Sequence, residues 1–248
     1  MLKCKHGKHP IKDFYETHYA KLDLTKHILE RITLTEKALS LFLNEKRTIV
    51  EIGCGNGKNL RYYKERLGFK DAYCIEIASS AEDEIRRNGI TPYIEDVNTS
   101  KLPFMDSSVN AVIFEEVIEH LYNSDLVLSE IHRVLKKGDN GILILSTPNL
   151  SSWINRLALF MGYQPFSHDV SFVKGFGRLA YKDQTNGHIK SFTLRAMIEY
   201  LEYFGFEVID KRGLIADGIP SWLSALDRFF SHFPSLASHI FIVAKKEQ

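Results

Sequence analysis

Short runs of β-branched residues alternate with amphipathic stretches along most of this 248-residue chain. Glycines and polar residues bound the runs, which is typical of buried strands, and the stretches between them have helical spacing of apolar residues. This alternation favours a parallel, doubly wound α/β sheet. We expect strands at residues 48–53, 71–78, 92–97, 109–117, 141–148, 206–215 and 239–247, the fourth of which continues into a helix. We expect helices at 13–45, 59–68, 80–89, 124–138 and 193–205, with Ser124 as the cap and Gly138 as the end of the fourth.

Composition excludes several classes of protein. Hydrophobic residues make up 44% and charged residues 25% of the chain, which is typical of a globular domain. The 32 basic and 31 acidic residues give a net charge of +1, so no uniform field is available to hold a nucleic acid. No apolar run is long enough to span a membrane, and the basic residues 1–10 lack the apolar stretch of a signal peptide. Three scattered cysteines are too few for a disulfide framework, so we expect a cytoplasmic protein.

Two parts of the chain fall outside the alternation. Residues 1–45 form a basic arm followed by helical sequence, ahead of a domain at 46–248. Residues 149–190 are irregular and rich in aromatics, glycines and histidines. Since long irregular segments in compact domains are usually functional, we expect this one to be a substrate-side insertion. Its aromatic side chains suit an apolar pocket or a membrane-facing patch, and residues 221–239 carry apolar residues at helical spacing.

A glycine-rich turn provides the strongest local signal. The sequence VEIGCGNGKNL places Gly53, Gly55 and Gly57 between the first strand and the next helix, where a ligand can approach the main chain. Glu76 ends the second strand, where a carboxylate can accept from both hydroxyls of a ribose. Asp96 ends the third strand, where a carboxylate can accept from an adenine amine. Because ligands of open α/β sheets bind beyond the carboxyl ends of the strands, these features predict one shared crevice.

The order of these motifs resembles that of class I S-adenosylmethionine-dependent methyltransferases, whose first motif, V-[DE]-x-G-C-G-x-G, is matched by VEIGCGNG. YCIEIA and RVLKKGDNGILILSTPN resemble two later motifs. The resemblance implies a Rossmann-like seven-stranded sheet with an antiparallel last strand, and S-adenosylmethionine as the cofactor. A dinucleotide-binding dehydrogenase is the alternative for the glycine loop, but the G-C-G-x-G spacing and the Pro-Phe pair after Asp96 favour the methyltransferase.

The same resemblance implies a set of cofactor-binding residues. Gly53, Gly55 and Gly57 would cradle the methionine part, Glu76 the ribose and Asp96 the adenine. Further members of the set are Glu51, Ile77, Val97, Glu115 and Arg31, the last by pairing with the methionine carboxylate.

The segment EEVIEHL supplies a second cluster. On a helix, Glu116, Glu119 and His120 would lie at i, i+3 and i+4 and would share one face. Two carboxylates and an imidazole suit a divalent cation such as Mg²⁺ or Mn²⁺, and His188 is a candidate fourth ligand. EVIEH also resembles the metal-binding motif of small-RNA 2′-O-methyltransferases and ubiquinone-pathway O-methyltransferases, in which the ion holds vicinal hydroxyls. The resemblance implies methylation of an oxygen atom with the help of a metal.

Alternatives remain open at this point. His120, with Glu116 beside it, is also a candidate general base without a metal, and the three residues could be purely structural. For the whole chain, we expect O-methylation of a small-molecule or glycan-like hydroxyl, since GHIKSFT and the sequence after it also resemble glycan-associated methyltransferases. The alternatives are an RNA 2′-O-methyltransferase, which the net charge of +1 disfavours, and a non-catalytic module that binds the cofactor.

Overall fold

The computed structural model describes residues 26–217 and 219–247 of the chain. Its strands are β1 (Thr48–Ile52), β2 (Asp71–Glu76), β3 (Thr91–Ile94), β4 (Ala111–Glu115), β5 (Ile142–Pro148), β6 (Phe206–Leu214) and β7 (His239–Lys246). They form one seven-stranded sheet in the order β3–β2–β1–β4–β5–β7–β6. Strands β1 to β5 pair in parallel, whereas β7 pairs antiparallel with both β5 and β6. The predicted seven-stranded α/β sheet with an antiparallel last strand is confirmed.

Helices cover both faces of the sheet. They are α1 (Lys26–Phe42), α2 (Lys58–Leu67), α3 (Glu82–Arg87), α4 (Ser124–Val134), α5 (Trp153–Phe160), α6 (Leu194–Tyr203) and α7 (Ser224–Ser231). Apolar side chains of α1, α2 and α3 form one core against the sheet, and those of α4 and α6 form the other. This is the doubly wound arrangement. Within the described residues, none of the helices combines the length and the apolar character that crossing a membrane requires.

Strand β4 shows how the two cores position the site. Val112 and Phe114 pack in the core with α4, whereas Ala111 and Ile113 pack in the core with α1. These side chains are fully buried, so the strand is apolar on both faces, as the central strand of a parallel sheet must be. The first charged residue along the strand, Glu115, therefore lies at its carboxyl end, at the edge of the sheet where ligands bind.

Several local expectations are corrected. Of the helical sequence predicted at 13–45, Lys26–Phe42 forms α1, whereas residues 13–25 and the arm at 1–12 lie outside the described residues. Asn123, not Ser124, caps α4, because its side chain accepts a hydrogen bond from the N–H of Leu126 at 3.4 Å. The same helix ends at Val134, before Gly138.

The irregular segment at 149–190 contains a helix that periodicity did not predict. Helix α5 begins after Ser152, whose hydroxyl accepts from the N–H of Asn155 at 3.3 Å. The remainder of the segment, from 161 to 190, has neither helix nor strand.

The prediction of a helix directly after β4 is wrong. Glu116 has a φ of 56°, a left-handed conformation that a continuous helix cannot contain. Ile118–His120 then form a single 3₁₀ turn, and α4 begins only at Ser124. Glu116, Glu119 and His120 consequently do not share a helix face. A tight turn between β4 and α4 sets the direction of each side chain instead.

A disulfide joins Cys54 to Cys74, whose Cα atoms lie 5.8 Å apart. Cys54 belongs to the glycine loop and Cys74 to β2. The cysteine count did not predict this bond. The two residues are 20 positions apart in the sequence and meet only because β1 and β2 pair.

Gly53, which follows β1, has no room for a side chain. Its φ is 75°, and a Cβ atom there would overlap Cγ2 of Val117. The glycine loop therefore packs directly on the turn that follows β4. Gly68 has a similar φ of 76°, but nothing lies within 4 Å of the place that its Cβ would take.

We predict that Gly53→Ala destabilises the protein more than Gly68→Ala. Each change places an L side chain in the left-handed region at a cost of about 1–2 kcal/mol. Only Gly53→Ala must also displace Val117, which adds about 1–3 kcal/mol. Urea unfolding followed by circular dichroism measures the free energy of unfolding that each variant loses. Adding Val117→Ala to Gly53→Ala should recover part of the lost stability, because it removes the overlap with Cγ2 of Val117. Equal losses in the two glycine variants would contradict the described packing.

Candidate active site

One pocket of about 560 Å³ lies at the carboxyl edge of the sheet. The residues that line it come from the ends of β1, β2, β3 and β4 and from the turns that follow them. Seven residues singled out from the sequence are among them, namely Gly53, Glu76, Ile77, Asp96, Val97, Glu116 and His120. The structure thus brings the predicted nucleoside-binding residues and part of EEVIEHL to one cavity.

Glu76 fixes the shape of the glycine loop. Its Oε2 accepts a hydrogen bond from the N–H of Gly55 at 3.0 Å. Its Oε1 accepts from the N–H groups of Ile77 and Ala78 at 2.8 and 3.1 Å. The three glycines of the loop all have left-handed φ angles, between 56° and 76°, which this path requires. Glu76 therefore lines the pocket and also holds the loop in place.

Asp96 has a fixed orientation at the end of β3. Its Oδ1 accepts from the backbone N–H and the side-chain Nδ2 of Asn98 at 2.9 and 2.8 Å. Asn123, the cap of α4, donates two hydrogen bonds to Asn98, from its N–H to Oδ1 and from Nδ2 to the carbonyl oxygen, both at 3.1 Å. The carboxylate of Asp96 is thus connected through Asn98 to the start of α4.

A buried charged group adjoins the pocket. Nε of Arg31 lies 3.2 Å from Oε2 of Glu115, and the hydroxyl of Thr35 donates to Oε1 of Glu115 at 2.6 Å. Burial, followed by repulsion from Glu115, raises the pKa of Glu51 to about 8. Oε2 of Glu51 is buried and has no hydrogen-bond partner among the described residues. The group thus holds two carboxyls and one guanidinium, and near pH 7 the carboxyl of Glu51 is mostly protonated.

Glu119, His120 and His188 converge beside the pocket. Nε2 of His120 lies 3.8 Å and Nε2 of His188 lies 3.9 Å from Oε1 of Glu119. One potential ligand atom from each residue lies within 4.8 Å of the other two. The two imidazole rings have their centroids 4.9 Å apart. The structure therefore brings His188 to the turn after β4, as the sequence analysis expected.

Hydrogen bonds orient the side chains of Glu119 and His120 and hold the backbone that follows His188. Thr147 of β5 donates to Oε2 of Glu119 at 3.0 Å, which leaves Oε1 facing the imidazoles. The backbone N–H groups of residues 189 and 190 donate to the carbonyl oxygen of Glu119 at 2.9 and 3.0 Å. Nδ1 of His120 lies 3.1 Å from the carbonyl oxygen of Gly187. Since a carbonyl oxygen only accepts, Nδ1 carries the proton and Nε2 presents its lone pair.

Burial dominates the protonation of this cluster. It raises the pKa of Glu119 well above the ordinary carboxyl value and lowers the pKa of His120. Burial, then the neighbouring His120, lowers the pKa of His188 to about 3. Both imidazoles are therefore neutral near pH 7. Oε1 of Glu119 and Nδ1 of His188 are buried and have no hydrogen-bond partner in the part of the chain that the structure describes.

Glu116 is not one of the three converging residues, but it is close enough that its charge acts on the pKa of each of them. Its Oε1 accepts from the hydroxyl of Ser146 at 2.7 Å, and Nε2 of His239 lies 3.5 Å from its Oε2. Arg31 approaches the same carboxylate, with Nη1 3.9 Å from Oε1. Glu116 thus lines the pocket at the end of β4, held by groups from α1, β5 and β7.

A buried ion pair positions His188 within the irregular segment. Nη2 of Arg178 lies 2.6 Å from Oδ1 of Asp169, and both side chains are 3% exposed. Oδ2 of Asp169 accepts from the N–H groups of Asn186 and His188 at 3.0 and 3.1 Å. The segment is therefore a compact loop that delivers His188 to the cluster.

Sequence reasoning did not single out Ser146, Thr147, His239 or the Asp169–Arg178 pair. The first two end β5, where ligands of such sheets bind, and that position was an available signal. His239 begins an antiparallel strand, and its first residue must lie at the same edge. No local sequence pattern indicated the ion pair between Asp169 and Arg178. Tyr15 and Tyr19, two candidates for a lid over the cofactor, lie outside the described residues.

Comparison with known proteins establishes the family. A sequence model described as a methyltransferase domain matches residues 24–211, more than half of the chain. The chain is a class I S-adenosylmethionine-dependent methyltransferase. The resemblance inferred from VEIGCGNG and the later motifs is confirmed, and S-adenosylmethionine is the cofactor of this methyltransferase.

Curated relatives match this methyltransferase over part of their length. Two proteins named as probable S-adenosylmethionine-dependent methyltransferases, from Mycobacterium tuberculosis and Mycolicibacterium smegmatis, are each 30% identical to it, over 105 and 103 residues. The match covers 42% of this chain in both cases, and 36% and 38% of the relatives.

Solved structures share the fold of the methyltransferase over nearly its whole length. One similar chain comes from a complex of the Haloferax volcanii Trm112 methyltransferase activator with a methyltransferase. Its TM-score is 0.64 at 16% identity, and the match covers 94% of this chain and 98% of that one. The N-methyltransferase NodS of Bradyrhizobium japonicum, solved with S-adenosylhomocysteine, has a TM-score of 0.62 and 13% identity, covering 97% of this chain and 100% of that one.

We predict that Glu51→Gln removes a pH-dependent loss of stability. The pKa of Glu51 is about 8 in the folded protein, against about 4.3 in an unfolded chain. As the pH rises between these values, the unfolded chain ionises first, so ionisation of Glu51 lowers the free energy of unfolding by up to about 5 kcal/mol. The variant should gain stability relative to the parent between pH 5 and pH 8.

Urea unfolding of the cofactor-free protein at the two pH values measures this difference. Glu202→Gln, at an exposed glutamate of α6, is the control and should show no such gain. If the free energies of unfolding of the parent and of Glu51→Gln differ by the same amount at both pH values, the raised pKa of Glu51 is contradicted.

Proposed function

We propose that this methyltransferase transfers a methyl group from S-adenosylmethionine to a hydroxyl of a small-molecule or glycan-like acceptor, with the help of a divalent cation, Mg²⁺ or Mn²⁺. The observation that carries the proposal is the convergence of Glu119, His120 and His188 beside the cofactor pocket. His120 belongs to both features, since it lines the pocket and contributes to the cluster.

The residues of the cluster fit a cation. Oε1 of Glu119 is a buried carboxylate oxygen without a hydrogen bond among the described residues, and such an atom is costly to bury without a positive partner. The two imidazoles beside it are neutral, and neutral imidazole is the form that binds metals. Two of the three candidate ligands have a supporting hydrogen bond, since Thr147 donates to Glu119 and Nδ1 of His120 donates to the carbonyl oxygen of Gly187, as is usual for metal ligands.

Glu116 is the proposed link between the cation and the acceptor. It lines the same pocket, and Ser146 and His239 hold its carboxylate at the end of β4. We assign it as a further ligand or as a partner of the acceptor hydroxyl, in keeping with its place in EEVIEHL. Mixed carboxylate and imidazole donors suit Mn²⁺ or Fe²⁺, and the carboxylates alone suit Mg²⁺.

Five of the proposed cofactor-binding residues line the pocket, namely Gly53, Glu76, Ile77, Asp96 and Val97. We assign the ribose to Glu76, the adenine to Asp96 with the neighbouring Ile77 and Val97, and the methionine part to the loop of Gly53, Gly55 and Gly57. We assign the ammonium group to Glu51 and Glu115, since Oε2 of Glu51 is buried without a hydrogen-bond partner among the described residues and a cation beside it would favour its ionised form. Arg31 remains the candidate partner of the methionine carboxylate, with Glu115 holding its guanidinium in place.

Methyl transfer from a sulfonium is an in-line displacement, so the main task of the protein is to align the donor with the acceptor oxygen. The glycine loop and Glu76 hold the donor on one side of the pocket. Glu116, Glu119, His120 and His188 hold the acceptor side. A bound cation would lower the pKa of the acceptor hydroxyl. Without a cation, Nε2 of His120 is the group that takes the proton, because Nδ1 donates to Gly187.

An RNA 2′-O-methyltransferase of the small-RNA type is the second candidate function. The position of His188 favours it, since those enzymes add a later histidine to the same motif. The net charge of +1 opposes it, because phosphate contacts supply most of the affinity for RNA. Salt-sensitive binding of a short RNA, together with methylation that a terminal 2′-deoxy group abolishes, would favour RNA over a glycan.

We predict that Glu76→Gln weakens binding of S-adenosylhomocysteine about 10–100-fold, since charge-assisted hydrogen bonds to the ribose are lost. Isothermal titration calorimetry measures the dissociation constant. The glutamine keeps one oxygen, so either Gly55 or the pair Ile77 and Ala78 loses its acceptor, and the melting temperature measures the stability that this loss costs. Glu202→Gln is the matched control. Undiminished affinity in Glu76→Gln would remove the ribose assignment.

We predict saturable binding of Mn²⁺ to protein saturated with S-adenosylhomocysteine, at one site, with affinity reduced about tenfold or more in Glu119→Gln and in His188→Gln. Calorimetric titration of Mn²⁺, and of Mg²⁺ beside it, measures this. His232→Gln, at an exposed histidine, is the control for non-specific imidazole binding. Absence of binding, or equal binding in His188→Gln and the parent, would contradict the metal site and leave His120 as the base.

A further inference from the structure

Exposed apolar side chains are concentrated in two ranges of the chain. Residues 153–187 and 221–233 contain 15 of the 21 exposed large hydrophobic residues in the described part of the chain. We call these two ranges the apolar surface. Scattered exposed apolar residues need no explanation, but such a concentration marks an interaction site.

The parts of the apolar surface pack on one another. Trp153 of α5 stacks on Phe230 of α7 with ring centroids 5.5 Å apart, and its Nε1 donates to Oδ1 of Asp227 at 2.8 Å. The N–H of Gln164, after α5, donates to the carbonyl of Gly177 in the loop at 2.9 Å. Contacts thus join α5 to α7 and the residues after α5 to the loop, so the two ranges are neighbours in the fold.

The charge on the apolar surface is positive. Its exposed cations are Arg156, Lys174, Lys182 and Arg228, whereas Asp183 is its single exposed acid and pairs with Lys174 at 3.0 Å. The two other acids in these ranges have buried side chains that hold Arg178 and Trp153. The excess of cations contrasts with a net charge of +1 for the whole chain. Aromatic and aliphatic side chains among cations are what an anionic bilayer surface binds.

A second copy of the chain fits this surface less well. Most homodimers are two-fold symmetric, so the same patch would face itself and would bring like charges together. A bilayer with anionic headgroups accepts both the apolar side chains and the cations. We propose that the apolar surface docks this methyltransferase on an anionic lipid bilayer.

Docking there has a consequence for the active site. The loop within the apolar surface also holds His188, through Asp169. Docking would therefore bring the segment that positions His188 to the bilayer. The docking itself depends neither on the identity of the acceptor nor on a bound metal.

Sedimentation with vesicles tests the proposal. The full chain is mixed with vesicles of equal parts phosphatidylglycerol and phosphatidylcholine, and with vesicles of phosphatidylcholine alone. The test variant is Phe160→Ser/Trp222→Ser, whose side chains are 89% and 78% exposed. The control is Met105→Ser/Tyr203→Ser, whose side chains are 79% and 84% exposed and lie outside the apolar surface. Both variants keep the basic residues 1–12, so attraction of that segment to lipid is the same in each.

We expect the parent and the control to bind the anionic vesicles and the test variant to bind at least about tenfold more weakly. Lys174→Gln/Lys182→Gln should also weaken binding to the anionic vesicles. Equal binding of test and control variants, equal binding of the parent to both lipid compositions, or no binding would each overturn the proposal. Light scattering that shows a dimer in the parent and a monomer in the test variant, without vesicle binding, would assign the surface to a second copy instead.

Discussion

The buried side chain and carbonyl of Glu119 connect the parts on which the site depends. Its Oε2 is fixed by Thr147 of the central sheet, and its carbonyl oxygen holds the backbone after His188. Its Oε1 is left facing two neutral imidazoles. The irregular segment, the turn after β4 and the sheet are thereby fixed relative to one another. Burying a carboxylate is unfavourable by itself, and a cation at this point would offset that cost.

The cofactor side depends on a second carboxylate, Glu76. It ties the glycine loop to β2, and the disulfide between Cys54 and Cys74 ties the same two parts covalently. Contact between Gly53 and Val117 then joins the loop to the turn that carries the cluster. Donor and acceptor groups are thus held next to each other by rigid backbone, which is what an in-line displacement requires.

The sequence predicts what depends on local pattern. The alternation of elements predicted the sheet, and the glycine spacing with Glu76 and Asp96 predicted one side of the pocket. The prediction of a helix after β4 was wrong because the spacing of apolar residues does not indicate the left-handed backbone of Glu116. Thr147 and His239 went unnoticed because their neighbours in the site are distant in the sequence. His188 was a candidate fourth ligand from its residue type, but the loop that positions it is held by tertiary contacts that no local pattern predicts.

The central claim is that Glu119 and two imidazoles hold a divalent cation beside the cofactor. Electron spin-echo envelope modulation of Mn²⁺, added to enzyme saturated with S-adenosylhomocysteine, detects nitrogen nuclei bound to the metal. The account predicts modulation from two imidazole nitrogens, and from one after His188→Gln. A spectrum with oxygen ligands only would contradict it, even if Mn²⁺ binds tightly.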